Sequence, residues 1–448
     1  MPKTSRLACA LLAALALTLP YTSASQDVTL AIVGGRLIDG YGGPPIADSV
    51  ILINGNRISA VGTQRDTAVP AGVTVIDADG RTVMPGLIDL HVHFDILGHG
   101  DYDYWFPHYE SRMRSDVLPT SARIMLNAGV TSVRDLGTDI DNAFWLREQI
   151  NSGAMPGPRT FIAGPFLRKT ATAFVSPDFV DTWVVENPAD GRRKVRRLVE
   201  MGVDVIKTQD EALSGEELAA IYDEAHKLGM HVATHLFSQK ALRTALEAGL
   251  GPWDTIEHIG AGAQPRYPDD IVNMIIEQRV VMSPTIIAEE GLRQIFLNPE
   301  LVHDPDWGAL MPHDIYEDIR GSYENVQRHP LFERAVLHRD SKMMKLRQLY
   351  QAGAQFVVGS DSGSRANPHH IAAAREIHFL VKEVGLTPME AIMAATRWAA
   401  VVLQKQDELG TITEGKLADI IVIDGDPLEY TGDLQHVIHV VKDGVQIR

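Results

Sequence analysis

The sequence predicts an α/β protein in which a (β/α)₈ barrel is flanked by a β-sandwich built from both ends of the chain. Two observations lead to this fold class. Between residues 82 and 400, eight strand-like runs alternate with stretches of helical spacing. On either side of that region, short apolar runs are separated by turn dipeptides. Strands that alternate with helices are typical of parallel sheets, and eight of them over about 300 residues fit a closed barrel.

The domain boundaries follow the same patterns. Residues 25–81 contain short strands punctuated by Gly34-Gly35, Asn54-Gly55 and Asp79-Gly80, which predicts a small β domain. Residues 405–448 return to β character but are too few to fold alone, so we expect them to complete that domain as a composite sandwich. Residues 82–404 are predicted to form the barrel.

The barrel strands are predicted from eight apolar runs. They are residues 82–93, 130–135, 160–165, 203–208, 231–235, 254–258, 280–284 and 356–361. Between two of them, Ser214 precedes two glutamates and predicts the start of a helix that Gly229 ends. An open, doubly wound sheet is the alternative, but no glycine-rich phosphate motif follows any strand.

Composition limits the partners of the chain. It has 448 residues, of which 45% are hydrophobic and 22% charged, which is ordinary for a globular protein with a large core. The formal net charge of −17 argues against nucleic acid and against an anionic membrane surface as partners. The net charge says little about the substrate, because a local site can be positive on an acidic protein.

The N-terminus predicts a signal peptide over residues 1–24. Lys3 and Arg6 precede an apolar run at residues 7–19, and small residues favour cleavage after Ala24. An uncleaved membrane anchor is the alternative. Cys9 is the only cysteine and lies inside this segment, so the mature chain would have none. The prediction is a secreted or periplasmic protein that does not contact the membrane once the signal is removed.

Residues that bind metals stand at the ends of the predicted strands. His91 and His93 end the first run, and strand alternation points both imidazoles to the same side. Four more ligand-type residues end strands four, five, six and eight: Lys207, His235, His258 and Asp361. Each alone has an ordinary structural explanation. Because the carboxyl ends of barrel strands meet at one rim, the set together predicts a metal site.

These residues resemble the amidohydrolase superfamily in its two-metal form. The resemblance covers nearly the whole chain after the signal and includes the run from Pro85 to His93, Lys207, His235, His258, the run from Gly359 to Gly363, and a tail from Gly410 to Asp419. Within the superfamily the chain is most similar to the secreted dipeptidase or prolidase-like and imidazolonepropionase-like branch.

The resemblance implies a ligand set and a catalytic residue. His91, His93 and Asp361 would hold one divalent metal, His235 and His258 a second, and an N6-carboxylated Lys207 would bridge them. Zinc fits nitrogen and oxygen ligands best, while manganese, iron and cobalt stay open, as does a one-metal site with unmodified Lys207. Asp361 would accept a proton from the attacking water. Relatives of this kind are commonly homo-oligomers.

The expected activity is hydrolysis of an amide bond in a dipeptide-like or N-acyl amino acid substrate. An ester, lactone or organophosphate hydrolase is the alternative on the same site, and a non-catalytic binding protein is a third hypothesis. Dipeptidase-like members often have a histidine where this chain has Phe237. Four residues are therefore candidates for substrate contact: Phe237, Arg168, Arg365 and His369. The long connection over residues 285–351 is either a lid or a surface insertion.

Overall fold

A computed structural model describes residues 28–169, 183–209, 211–324 and 330–448. The predicted signal peptide, residues 1–24, lies outside the described residues. Within the described part, none of the helices combines the length and the hydropathy that a bilayer-spanning segment requires.

The described strands belong to three sheets. In chain order they are β1 Leu30–Leu37, β2 Ile46–Asn54, β3 Arg57–Thr63, β4 Thr74–Asp77, β5 Thr82–Pro85, β6 Leu87–Val92, β7 Val130–Asp135, β8 Arg159–Ile162, β9 Leu167–Arg168, β10 Ile206–Gln209, β11 Val232–His235, β12 Thr255–Glu257, β13 Val281–Ser283, β14 Gln355–Phe356, β15 Ile420–Ile423, β16 Val437–Lys442 and β17 Val445–Gln446.

The α-helices of the described residues follow most of the strands from β6 onward. They are α1 Tyr102–Tyr109, α2 Leu118–Asn127, α3 Ile140–Asn151, α4 Pro188–Met201, α5 Gly215–Lys227, α6 Gln239–Glu247, α7 Asp269–Gln278, α8 Ile286–Leu297, α9 Pro305–Gly308, α10 His313–Gly321, α11 Pro330–Gln351, α12 Ala372–Phe379, α13 Pro388–Ala394 and α14 Arg397–Val402. The Ser214 cap predicted for α5 is confirmed, since its side chain accepts from the Glu217 amide.

One eight-stranded sheet joins the two ends of the chain. Its order is β17-β16-β15-β5-β1-β2-β3, with β4 parallel to β1. Strand β15, from the last tenth of the chain, lies antiparallel to β5, with Ile421 opposite Met84. The sheet can form only when strands from both termini are present.

The alternation of side chains along β15 explains how the sheet packs on both of its faces. Ile420 and Val422 pack with Ile32 and Ile51 in an apolar cluster that both halves of the sheet share. Ile421 and Ile423 point the other way and belong to the large core beneath the helices. Because successive side chains in a strand face opposite sides, one strand connects the two cores.

The remaining strands form two parallel sheets. Their orders are β6-β7-β8 and β14-β13-β12-β11-β10-β9. Each of the eight predicted barrel runs overlaps one of these nine strands, although the last run shares only Phe356 with β14 and no run predicts β9. The α/β class with parallel strands and intervening helices is confirmed. At one junction Leu90 donates a backbone hydrogen bond to Val358 (3.0 Å), and at the other Asp204 donates to Ile162 (2.8 Å).

The run predicted as a single strand at residues 82–93 is two strands in two sheets. The Gly86 amide still donates to the carbonyl of Asp419 beside β15 (2.9 Å), whereas the next amide, that of Leu87, donates to the carbonyl of Gly129 just before β7 (2.9 Å). A Cβ at Gly86 would lie 2.2 Å from Oγ1 of Thr131, so only glycine fits this crossing. The prediction of one strand was wrong because apolar character continues across the break.

Candidate metal centre and substrate pocket

The six predicted ligands lie at the carboxyl ends of the parallel strands. His91 is in β6 and His93 follows it, Lys207 is in β10, His235 ends β11, His258 follows β12, and Asp361 comes after β14. All six line a single cavity of about 450 Å³. The strands therefore bring together residues that are up to 270 positions apart in the chain.

Three of these side chains have the geometry of a cation site. His91, His258 and Asp361 each offer one ligand atom, and these atoms lie within 4.8 Å of one another. His93 adjoins them, since its Nε2 is 3.1 Å from Oδ1 of Asp361. The His235 ring is 4.4 Å from that of His258, centroid to centroid. Nitrogen and carboxylate donors in such a cluster suit a divalent transition metal.

A buried hydrogen-bond chain orients His91. Its Nδ1 is 2.7 Å from Oε2 of Glu257, and Oε1 of Glu257 accepts from the Arg134 guanidinium at 2.7 Å. All three side chains are at most 1% exposed. Since the carboxylate accepts a hydrogen bond, Nδ1 carries the proton and Nε2 keeps a lone pair toward Asp361.

Sequence reasoning assigned no role to Glu257 or Arg134. Two signals were present: a glutamate directly before a predicted ligand, and an arginine inside the apolar run that forms β7. A charged side chain within a buried strand requires a partner, which points to an internal ion pair.

His258 and Asp361 are held in an uncommon backbone conformation. Their φ angles are +59° and +58°, in the left-handed region that few non-glycine residues adopt. The Asp361 amide donates to the carbonyl of His91 (2.7 Å), and the Asn367 side-chain amide donates to the carbonyl of Asp361 (2.8 Å). Nδ1 of His258 is 2.8 Å from the Thr285 hydroxyl. Such strain is maintained only where the surroundings fix it, and it clusters at functional sites.

Burial controls the protonation of the imidazoles. It is the main cause that lowers the pKa of His91 and of His258 well below the ordinary value and that of His235 to about 3, and the charge of Lys207 adds to it. For His93 burial acts in the same direction, but contact with Asp361 outweighs it and raises the pKa. Three of the four rings are therefore neutral bases with lone pairs at neutral pH.

The four candidate substrate residues divide into two pairs. Phe237 and Arg365 line the cavity, whereas Arg168 and His369 do not. His369 is buried, and its two ring nitrogens are occupied by Ser362 (3.0 Å) and the carbonyl of Ile96 (2.9 Å). Arg168 lies behind the cavity wall, beside the ring of Phe166. The structure thus places His369 where it connects the loop after β14 to the loop after β6, and gives neither residue a position in the lining of the cavity.

The long connection over residues 285–351 forms one wall of the cavity. It is helical over much of its length, in α8, α9, α10 and α11, and is not an irregular insertion. The cavity-lining residues that it supplies are Thr285, Ala288, Glu289, Leu292, Leu331, Arg334, Ala335 and His338. Aromatic rings of Phe106, Phe166 and Phe237 line much of the rest, so the cavity is mainly apolar around a polar floor.

Comparison with known proteins agrees with this architecture. Residues 82–447 match the model of the amidohydrolase family. An ochratoxinase from Aspergillus niger is 28% identical over 480 aligned positions, which cover 95% of this chain and 88% of that protein.

Two crystal structures are similar over nearly their whole length. One is a Xaa-Pro dipeptidase with methionine bound in its active site, with a TM-score of 0.75 and 27% identity, covering 94% of this chain and 99% of that one. The other is molinate hydrolase, with a TM-score of 0.73 and 26% identity, covering 94% of each chain.

The depressed pKa of His235 predicts a pH dependence of stability. In metal-free protein the folded state keeps this ring neutral down to a pH of about 3, whereas the unfolded chain protonates it near 6.5. Below pH 6.5 the unfolded state binds the extra proton, so this residue lowers the free energy of unfolding by up to about 1.4 kcal/mol per pH unit as the pH falls. Urea denaturation of chelator-treated protein should show a shallower decline for His235→Gln between pH 6.5 and 4.

The matched control is His436→Gln, because that imidazole is 62% exposed. Equal pH slopes for the wild type and His235→Gln would contradict the prediction, as would the same change of slope in the control.

Proposed function

The chain belongs to the amidohydrolase family, and on that premise we propose that it is a metal-dependent hydrolase that cleaves the amide C–N bond of a small dipeptide-like or N-acyl amino acid substrate. The observation that carries this proposal is the cluster of His91, His258 and Asp361 ligand atoms on the floor of the cavity.

The comparisons support amide hydrolysis over hydrolysis of an ester, lactone or organophosphate. The family is that of amidohydrolases, and one of the similar structures is a dipeptidase that acts on Xaa-Pro. The complete set of ligand-type residues also argues against a non-catalytic binding protein, since such a protein has no need of all six.

We propose that the cavity holds two divalent cations, with zinc as the preferred metal. His91, His93 and Asp361 would bind one, and His235 and His258 the other, with a carboxylated Lys207 between them. The donors fit, because neutral imidazole nitrogens and a carboxylate are the ligands that zinc prefers. Such cations lower the pKa of a bound water and polarise the substrate carbonyl.

The residues of the chain then carry the protons and fix the geometry. Asp361 takes the proton that the attacking water releases and passes it to the nitrogen of the departing amine, which leaves as a neutral molecule. Glu257 holds the His91 ring in one tautomer and one orientation throughout. The apolar walls exclude bulk water, which strengthens each electrostatic contact on the cavity floor.

The parallel strands are proposed to form one closed barrel. The hydrogen bond from Leu90 to Val358 joins β6 to the segment after β14, and that from Asp204 to Ile162 joins the start of β10 to β8. Hydrogen bonds at both junctions support continuity around the whole set of strands. Closure brings the strand ends to a common rim, as the proposed chemistry requires.

Export of the protein is also proposed, on the basis of the charged, apolar and small-residue segments at residues 1–24. N-terminal sequencing of the protein recovered from an expressing bacterium tests this. A start at Ser25 is expected, and a start at Met1 in an otherwise folded, active protein would contradict it.

The homo-oligomeric assembly stays a prediction.

Metal removal should abolish an amide-directed activity. The purified chain, assayed with dipeptides, N-acyl amino acids, an aryl ester and a lactone, should prefer the amides and contain two metal equivalents. Dialysis against a chelator should remove activity, and zinc should restore it, because the water must be acidified to attack near neutral pH. Activity that survives complete metal removal, or a preference for the ester or lactone, would overturn the proposal.

Replacing Asp361 by asparagine should slow turnover by about 10²- to 10⁴-fold, since the amide cannot take the water proton. Some metal should remain bound, because the histidines persist, and KM should change less than kcat. Asp407→Asn, at an exposed position, is the control and should behave as the wild type. Near-normal turnover in Asp361→Asn would remove this residue from its role.

A further inference from the structure

Helix α11 presents one face to the cavity. Leu331, Arg334, Ala335 and His338 all line it, at the i, i+3, i+4 and i+7 spacing of a single helical stripe. Leu331 and Ala335 are apolar, and Arg334 is the one arginine of the stripe. Its guanidinium therefore lies beside a cavity wall that is mainly apolar.

The aromatic ring of Phe237 is next to both Arg334 and two of the candidate metal ligands. Its Cζ lies 5.3 Å from the centroid of the Phe237 ring. That ring in turn lies 4.4 Å from the His235 ring and 5.2 Å from the His258 ring, centroid to centroid. Glu211 accepts a hydrogen bond from the Phe237 amide and so fixes the backbone that carries the ring. The guanidinium therefore contacts the same aromatic ring that packs on two of the candidate ligands.

The charge of Arg334 has no carboxylate partner among the described residues. Other arginines of the same helix differ, since Arg339 and Arg347 both pair with Glu383, at 2.8 and 3.1 Å. The carboxylate that α8 contributes to the cavity, that of Glu289, pairs with Lys342 at 3.3 Å. The cavity wall thus keeps a cation whose counter-charge the described part of the chain does not supply.

Arg365, the other arginine that lines the cavity, makes contacts within the protein. Arg365 donates through Nε to the carbonyl of Gly100 (2.9 Å), and its guanidinium stacks on Tyr102, with Cζ 3.6 Å from the ring centroid. These contacts hold the loop after β6 against the loop after β14. Arg365 consequently stabilises the rim, and Arg334 is the better candidate for contact with a ligand.

We propose that Arg334 binds the free carboxylate of the substrate and so restricts the enzyme to amides whose amine half is an amino acid. This inference rests on the proposed function and names its specificity residue. A guanidinium matches a carboxylate with two parallel hydrogen bonds, which are stronger beside apolar walls than in water. With the carboxylate at Arg334, the apolar side chains of Phe237 and Leu331 contact the side chain of the substrate, and the scissile carbonyl reaches the cavity floor.

Two amides that differ only in the carboxylate test the proposal. N-acetyl-L-phenylalanine has it, and N-acetyl-2-phenylethylamine has the same amide bond without it. The wild type should favour the first in kcat/KM. Arg334→Gln should lower kcat/KM for the first by about 10- to 100-fold, mainly through KM, because a charged hydrogen bond is lost before and during the reaction alike. The same variant should leave the second substrate unchanged.

Two further variants separate recognition from structure. Arg334→Lys should recover part of the preference, since it restores the charge without the fork of donors. Arg347→Gln removes one charge from the same helix at a position outside the cavity and should match the wild type on both substrates. Equal losses of Arg334→Gln on both substrates, or an unchanged preference for the carboxylate, would overturn the assignment.

A binding measurement keeps the two proposals distinguishable. Calorimetric titration of L-phenylalanine and of 2-phenylethylamine needs no turnover. Carboxylate-dependent binding that Arg334→Gln abolishes would support the role of Arg334 even if the wild type cleaved no amide, in which case only the proposed reaction would fail. Equal binding of the two ligands would overturn the role of Arg334 and leave the proposed reaction to its own assays.

Discussion

The buried ion pair between Arg134 and Glu257 is the interaction on which the rest of the candidate centre depends. It joins β7 to β12 inside the protein, and Glu257 extends it to the His91 ring on β6. A buried charge is tolerated only when it is paired and hydrogen-bonded. Each member of the pair therefore offsets part of the desolvation cost of the other. The consequence is an imidazole that cannot rotate and keeps one nitrogen available at the cavity floor. Three strands far apart in the sequence are thereby fixed relative to one another at the place where chemistry is proposed.

Burial also controls the protonation of the histidines at the candidate metal centre. The hydrophobic surroundings that stabilise the strands also lower the pKa of His91, His235 and His258, which leaves these rings uncharged. The walls continue the apolar surface upward, through aromatic rings and one stripe of α11. The candidate ligands form the floor, and the guanidinium of Arg334 lies on the wall beside Phe237. A cavity of this kind binds the apolar part of a ligand without selectivity and orients it by a few charged contacts.

Much of this could be predicted from the sequence, for physical reasons that also explain the failures. Most residues of the parallel strands are buried, so these strands read as continuous apolar runs, and the proposed ligands stand where those runs end. The same continuity hid the break at Gly86, which depends on a close approach to Thr131 that no local pattern records. His369 stood near the predicted rim, but one ring nitrogen contacts Ser362 in the same loop and the other contacts Ile96, which is 273 residues away in the sequence. Arg334 lies in the long connection over residues 285–351, for which the sequence predicts a lid or a surface insertion but not which of its side chains face the cavity.

The eight-stranded sheet has a consequence for biosynthesis. Strand β5 leads directly into β6 and His91, yet its neighbour β15 is encoded more than 330 residues later. During translation the N-terminal strands leave the ribosome with an open edge, and that edge stays available for wrong pairing until the final segment is made. Strand β5, which leads into the strand of His91, therefore pairs with a strand that is synthesised near the end of translation. A chain interrupted shortly before its end would lose the support of the strand that carries the first histidines, although every proposed ligand had already been synthesised.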